Sequence, residues 1–395
     1  MWFSFDLIFF IYRLSTFPER FMYKIVEFLQ PYFKQDAYLM FDCLYDNNAE
    51  CIDTFTLFQY LQKNNIPSYY LVNKNHNSLK KIKKVGRQKD IITTDKNKKI
   101  PLNLIFCLLR THTVITSFGH DNSRFENFLY KNKKINYIFS DHGIFFMKLF
   151  PLNYYTSSRF NFFIVNNELE TQMILNNSKW TENRLIKCGL FRFDKLKREQ
   201  NKKNIFIMFT WRKSRQHDYF KKIESLLNNE ILKQFIFAND VKIKFALHHV
   251  LNLELDYEKL FIDNQNVEII NLTDISEQVS KTSLFITDFS SIAFDFMYLD
   301  IPVIFYRFDA DLDEKTKEYE SIDYAMTKDK YLYNCCYSEQ DTVKTIIKYV
   351  QNGFTLEDEN KEKNKQFFTY SQKNSICKNF VEHIERLNKK EIING

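Results

Sequence analysis

From Thr287 to Tyr306 the chain reads TDFSSIAFDFMYLDIPVIFY, a polar turn and an amphipathic helix set between two short apolar runs, Leu284-Phe285-Ile286 and Val303-Ile304-Phe305. Ile292, Phe296 and Leu299 recur at helical spacing and Pro302 ends the helical region. The flanking runs are apolar throughout, as strands buried on both faces are. The segment therefore predicts a βαβ unit. Ser290 and Ser291 supply hydroxyls and backbone N–H groups where the helix begins, and unsatisfied N–H groups plus the helix dipole favour an anion there. The run reads as a diphosphate-binding turn built without glycine, and equally as an ordinary capped βαβ unit.

The same alternation runs through the rest of the chain. Apolar runs at 37–44, 68–72, 90–94, 113–116, 135–139 and 162–165 predict strands in the first half, with helices such as 50–63 and 101–110 between them. The second half restarts at 205–208 and continues with 241–246, 267–270, 284–286 and 303–305. Strands alternating with helices are the signature of α/β folds with parallel sheets. At 395 residues the chain exceeds what one hydrophobic core ordinarily serves. A Lys- and Asn-rich run, 195–204, divides it. The predicted organisation is an aromatic N-terminal segment at 1–33, a Rossmann-like domain at 34–200 and a second at 201–395, whose last helix packs back on the first. Two facing, doubly wound domains hold a ligand in the crevice at the carboxyl ends of their strands.

Composition narrows the classes of partner. Lys+Arg number 56 against 49 Asp+Glu, a formal +7 that suits an anionic substrate, a polyanionic polymer or an acidic membrane surface. The excess is diffuse, with no basic block interleaved with stacking aromatics, so no nucleic acid is expected. The seven cysteines form no CxxC pair and predict reduced thiols, Cys335 and Cys336 among them as buried small residues. Asp309, Asp311 and Asp313 alternate as metal-binding carboxylates do, but no glycine or further ligand completes the pattern; they read as a solvated acidic loop, and no metal is expected. Residues 1–12 are aromatic and apolar but include Asp6, and they fall short of the roughly 20 residues that span a bilayer. Arg13, Arg20 and Lys24 follow among Phe17, Phe21, Tyr23 and Phe28. That pattern predicts either an amphipathic helix lying on an anionic membrane surface or a helix docked on the protein itself.

Candidate chemistry falls at the carboxyl ends of strands. Asp141-His142-Gly143 follows the run 135–139, where His142 can act as a general base near neutral pH and Gly143 lets backbone approach a ligand. His248 follows the run 241–246. Thr210-Trp211-Arg212 follows 205–208, with a guanidinium fork to clamp phosphate and a hydroxyl to donate. Thr287, Ser290 and Ser291 form the candidate anion-binding turn. Asp295, four residues after Ser291 on one helix face, can reach sugar or polyol hydroxyls or serve as a packing-paired carboxylate. A histidine is more often structural than catalytic; it is the position of His142 and His248 after strands of facing domains that makes them candidates.

Together these elements resemble the CDP-glycerol glycerophosphotransferase family, the teichoic-acid and capsule polymerases and primases of the GT-B type. Asp141-His142-Gly143 stands at the family's Trp-His-Gly position, Gly189-Leu190-Phe191-Arg192-Phe193-Asp194 at its Gly-x-Pro-Arg-x-Asp, and Thr210-Trp211-Arg212 at its Thr-Trp-Arg. His248 falls at its second histidine, Asp274-Ile275 at its Asp-Ile/Val element, and Thr287 to Ser291 at its Thr-Asp-Tyr-Ser-Ser signature. Six collinear elements over roughly 135–350 are far more specific than one. The chain departs from the pattern at Asp141, at Phe191 in place of proline, and at Ala246, where the family often has arginine.

The resemblance implies a GT-B fold and transfer of a polyol phosphate, glycerol phosphate first, from a CDP-activated donor to a hydroxyl of a growing surface polymer or lipid-linked glycan. CMP leaves, and no cofactor is obligatory. It implies His142 as base on the acceptor hydroxyl and His248 as the group that binds or protonates the pyrophosphate. Gly143, Thr210, Arg212, Thr287, Ser290, Ser291 and Asp295 are the implied donor-binding residues. The implied location is peripheral, on the cytoplasmic face of a bacterial cytoplasmic membrane. Two alternatives stay open on sequence: a GT-B glycosyltransferase using a nucleotide sugar, and a non-catalytic scaffold of an envelope-assembly complex.

Overall fold

The apolar runs assemble into two parallel sheets in a computed structural model that describes residues 19–42, 52–95, 101–117, 124–144, 146, 159–199, 202–210, 216–246, 266–270, 275–288, 290–308 and 331–394. The first sheet contains β1 (Ala37–Phe41), β2 (Ser68–Asn73), β3 (Ile91–Thr94), β4 (Thr111–Thr116), β5 (Asn136–Phe139), β6 (Phe162–Val165) and β7 (Leu185–Lys187), in the order β3-β2-β1-β4-β5-β6-β7. The second contains β8 (Asn204–Met208), β9 (Lys242–Ala246), β10 (Val267–Ile270), β11 (Leu284–Thr287), β12 (Val303–Tyr306) and β13 (Cys335–Cys336), in the order β10-β9-β8-β11-β12-β13. Each sheet reverses its direction of growth at its centre, between β1 and β4 in one and between β8 and β11 in the other. These are topological switch points, where the connecting loops diverge and leave a crevice. Both sheets are Rossmann-like and doubly wound, the expected α/β, GT-B architecture.

Strands covered on both faces must be apolar at every position, and β1, β11 and β12 are buried along their whole length. The structure adds β7 and β13, which the sequence reading lacks. Three and two residues are too few to show any periodicity. Cys335 and Cys336 are an edge strand beside Phe305 and Tyr306. The Lys- and Asn-rich run is only partly a connector: Leu196 is buried, the Glu199 N–H donates to the Ser280 carbonyl at 2.8 Å, and Asn204 already begins β8.

One aromatic core joins the two halves. Phe193, in the segment between the sheets, stacks on Tyr298 with ring centroids 4.5 Å apart, and Phe146 meets Phe294 and Phe367 edge-on. Each fully buried Phe contributes about 1.5–3 kcal/mol. The C-terminal helix Ile376–Asn394 begins where both oxygens of Asp194 accept backbone N–H groups, from Ile376 at 3.0 Å and Cys377 at 2.8 Å. Further along, Asn388 accepts from Asn136 of β5 at 3.0 Å, so this helix lies against the first sheet. Gly189 has φ +90 and lies so close to Ser371 that a Cβ would stand 2.2 Å from its Oγ.

The helix Glu19–Leu29 buries Met22, Tyr23 and Val26, and Tyr23 stacks on Phe128 at 4.6 Å. Phe28 and Tyr32 stand 71% and 77% exposed on the other side. One apolar face thus docks on the protein while further aromatics face outward; residues 1–18 lie outside the described residues. No helix among the described residues is long and apolar enough to cross a membrane.

Candidate active site

At each switch point an aspartate ties together the loops that leave the two central strands. In the first sheet Asp42 follows β1, and its Oδ1 accepts the N–H of Ser117, which follows β4, at 3.2 Å. Its Oδ2 accepts from Thr54 Oγ1 at 2.5 Å and Tyr70 OH at 2.9 Å. Burial raises the Asp42 pKa, and the hydroxyl and amide donors only partly oppose this. In the second sheet Asp288 follows β11, and its Oδ1 accepts the N–H of Thr210, which follows β8, at 2.9 Å. The buried Arg307 guanidinium donates to the Asp288 carbonyl at 3.1 Å. Asp288 therefore braces the turn.

His142 stands just beyond β5 with its side chain 52% exposed. Asp141 Oδ1 accepts the His142 backbone N–H at 2.6 Å and lies 2.9 Å from Nδ1 of the ring. A proton held on Nδ1 by a carboxylate makes Nε2 the basic nitrogen of the neutral ring, the tautomer a general base uses. Gly143 faces Ser291 of the second domain: a Cβ there would stand 2.6 Å from Ser291 Oγ and 2.9 Å from its Cβ. Only glycine permits that approach. The Asp141-His142-Gly143 loop and the Ser290-Ser291 turn, one from each sheet, are thereby in contact.

Ser290 and Ser291 are half-buried, and their carbonyls accept the first helical N–H groups, from Ala293 at 3.1 Å and Phe294 at 3.2 Å. The helix that follows, Ala293–Tyr298, has only six residues. Its macrodipole is correspondingly modest, and the N–H and hydroxyl groups of the turn are the main donors it offers. Thr287 is fully buried, and its Oγ1 has no hydrogen-bond partner among the described residues.

Asp295 has a partner that sequence reasoning missed. Arg192, from the segment between the sheets, donates through Nε at 2.8 Å and Nη2 at 2.7 Å to the two Asp295 carboxylate oxygens. Both residues are buried, 4% and 1% exposed, so Asp295 bridges the halves rather than reaching toward hydroxyls of a ligand. The Arg192 N–H also donates to Asp53 Oδ1 at 3.0 Å, and Ser140 Oγ donates to Asp53 Oδ2 at 2.6 Å. Burial pushes the Asp53 pKa up to about 6 against the pull of the Arg192 guanidinium. Burial works against the Arg192 cation, but Asp295 and then Asp53 outweigh it and raise its pKa. A continuous buried network thus runs from the helix behind the Ser290-Ser291 turn to Ser140, beside Asp141 and His142. The signal for Arg192 was the run Gly189 to Asp194; for Asp53 and Asp42 no spacing marked them.

His248 and Arg212 lie outside the described residues, as do Asp309, Asp311 and Asp313. Among the described residues no group of three or more His, Cys, Asp or Glu is arranged to hold a metal ion.

Two doubly wound domains whose strand ends meet at a histidine loop and a serine turn define a protein of the GT-B class. Residues 23–385 match the family described as CDP-Glycerol:Poly(glycerophosphate) glycerophosphotransferase, and the chain belongs to it. The minor teichoic acid biosynthesis protein GgaB of Bacillus subtilis (strain 168) is 25% identical over 363 residues, covering 84% of this chain and 37% of that protein. A teichoic acid glycerol-phosphate transferase of Staphylococcus aureus (strain NCTC 8325 / PS 47) is 24% identical over 227 residues, covering 48% of this chain and 57% of that one. The chain thus spans less than two thirds of the length of both curated relatives. Among solved structures, a variant of the wall teichoic acid polymerase TagF with CDPG superposes with a TM-score of 0.67 at 16% identity, covering 94% of this chain and 93% of that one; this shows a shared fold.

Proposed function

We propose that the chain transfers a polyol phosphate, glycerol phosphate first, from a CDP-activated donor to a hydroxyl of a growing teichoic-acid-like or capsular polymer, releasing CMP. Membership of the family supports the reaction class. The observation that carries the reading is the contact of Gly143 with Ser291, which brings the histidine loop and the serine turn together across the crevice. In this reading His142, oriented by Asp141, takes the proton of the acceptor hydroxyl as oxygen attacks the β-phosphorus. The Ser290-Ser291 turn, with Gly143, Thr210 and Arg212, stabilises the diphosphate, the buried Thr287 supports the turn from beneath, and His248 protonates or binds the leaving CMP phosphate. Asp295 acts through Arg192, positioning the turn.

The same reading sets the chain on the cytoplasmic face of a bacterial membrane. Exposed Phe28 and Tyr32 next to exposed Lys24 support attachment to an anionic surface through the helix Glu19–Leu29. Removal of residues 1–33 is expected to shift the protein from anionic vesicles to the supernatant; an unchanged pellet fraction would exclude this segment as the anchor.

Product analysis tests the reaction. Given CDP-glycerol, CDP-ribitol, a set of UDP- and CMP-sugars and a crude polymer acceptor, the chain is expected to release CMP from a CDP-polyol and to incorporate its phosphate. Turnover of a nucleotide sugar alone, without incorporation of phosphate, would replace this reading with a glycosyltransferase on the same fold.

A further inference from the structure

A cavity of about 290 Å³ lies beside the segment that joins the two sheets. Thr56 of the helix Asp53–Lys63 and Ser276 and Ser280 of the helix Ile275–Lys281 line it, together with Lys81, Lys195 and Lys197. Its wall is therefore shared by both halves of the molecule. Gln59 accepts from Lys195 Nζ, and the Lys81 ammonium lies 5.9 Å from the Phe55 ring centroid. The packed wall partly desolvates Lys195 and lowers its pKa, and the positive charges of Lys81 and Lys63 add to the effect. The neighbouring carboxylates are engaged elsewhere. Asp53 and Asp295 serve Arg192, and Glu199 accepts weakly from Ser280 at 3.4 Å while pairing with Lys202 at 3.2 Å.

Three ammonium groups around one cavity make a site for a phosphodiester, whereas the hydroxyls of Thr56 and Ser280 donate to the Ile52 and Glu277 carbonyls, each at 2.9 Å, and only line the wall. Lysines act as point charges and do not require the bidentate geometry that a guanidinium sets up with phosphate. Arg192 also lines the cavity, and through Asp53 it connects to Ser140, next to the histidine loop. We propose that this cavity holds a backbone phosphate of the acceptor polymer while the terminal hydroxyl lies at His142. The proposal rests on the reading of the chain as a polyol-phosphate transferase and adds a subsite for the acceptor. The diphosphate of the donor belongs to the Ser290-Ser291 turn.

Lys195 and Lys197 are exposed, so replacing them spares the core. The full chain carrying Lys195→Ala and Lys197→Ala is compared with the unsubstituted chain on a synthetic glycerol-phosphate oligomer and on a one-unit glycerol phosphate acceptor. The expected result is a KM for the oligomer raised about tenfold, as loss of two screened charge contacts gives. The KM for CDP-glycerol and the rate on the one-unit acceptor stay unchanged. A titration with the oligomer alone is expected to weaken by the same factor. Equal effects on both acceptors overturn the assignment, as does a rise confined to the KM for CDP-glycerol, which would put the donor diphosphate in the cavity. If the unsubstituted chain transfers no phosphate, the titration still decides. Binding weakened in the variant keeps the cavity as a phosphodiester site while the transferase reading fails, and equal binding in both chains overturns the cavity.

Discussion

The two switch points share a plan and differ in charge. Each has an aspartate after one central strand that accepts a backbone N–H from the loop after the other, Asp42 with Ser117 and Asp288 with Thr210. Around Asp42 the donors are uncharged, the hydroxyls of Thr54 and Tyr70, and burial raises the pKa of that carboxyl. Around Asp288 a buried guanidinium, Arg307, holds the same turn. Topology therefore fixes where the loops are tied, and side-chain chemistry decides what each crevice wall favours. In the transfer we propose, the first wall serves the acceptor and the second the diphosphate donor.

The largest effect expected is at the bridge between the walls. Arg192→Ala leaves Asp295 and Asp53 buried without their cation and is expected to lower stability by about 3–5 kcal/mol in denaturant unfolding. Replacing Arg192 by Met together with Asp295 by Leu is expected to recover most of it; a loss under about 1 kcal/mol for Arg192→Ala would mean that the bridge does not hold the halves together. Next is the pH dependence of the first wall. Because the folded pKa of Asp53 is raised from 3.8 to about 6, its contribution to stability is complete below pH 3.8 and is lost as pH rises through about 6. The change is on the order of 3 kcal/mol. Asp53→Asn is expected to remove that slope from a series of unfolding measurements across this range, and an unchanged slope would assign it to other groups. Smaller still in stability terms is Gly143→Ala. Its Cβ forces the histidine loop and the serine turn apart, and turnover is expected to fall roughly 10- to 100-fold with only a small change in Tm. Turnover equal to that of the unsubstituted chain would show that the contact is not needed for transfer.

Much of this architecture was legible in the sequence because parallel strands advertise themselves. Runs such as Leu284-Phe285-Ile286 are apolar at every position, and eleven of the strands coincide with predicted runs, although β9 carries Lys242 and Lys244 and β10 carries Glu268. β7 and β13 were not legible, since at three and two residues they exist only by pairing with a longer neighbour. The placement of the histidine loop and the serine turn was legible because each is one short motif directly after one strand. The site was not legible where roles depend on contacts distant in sequence. Asp295 has the same local spacing whether it meets a ligand or Arg192, and the separation of 103 positions hides the pair. Gly143 was expected to let backbone approach a ligand, and nothing in its local sequence showed that Ser291 lies so close that a Cβ would not fit.

The most direct test of the account is transfer by His142→Ala in a single turnover, with binding of CDP-glycerol measured on the same preparation. The account predicts transfer reduced by about 10²–10⁴-fold with donor affinity retained, because His142 acts on the acceptor hydroxyl and not on the nucleotide. Transfer at the rate of the unsubstituted chain would contradict it.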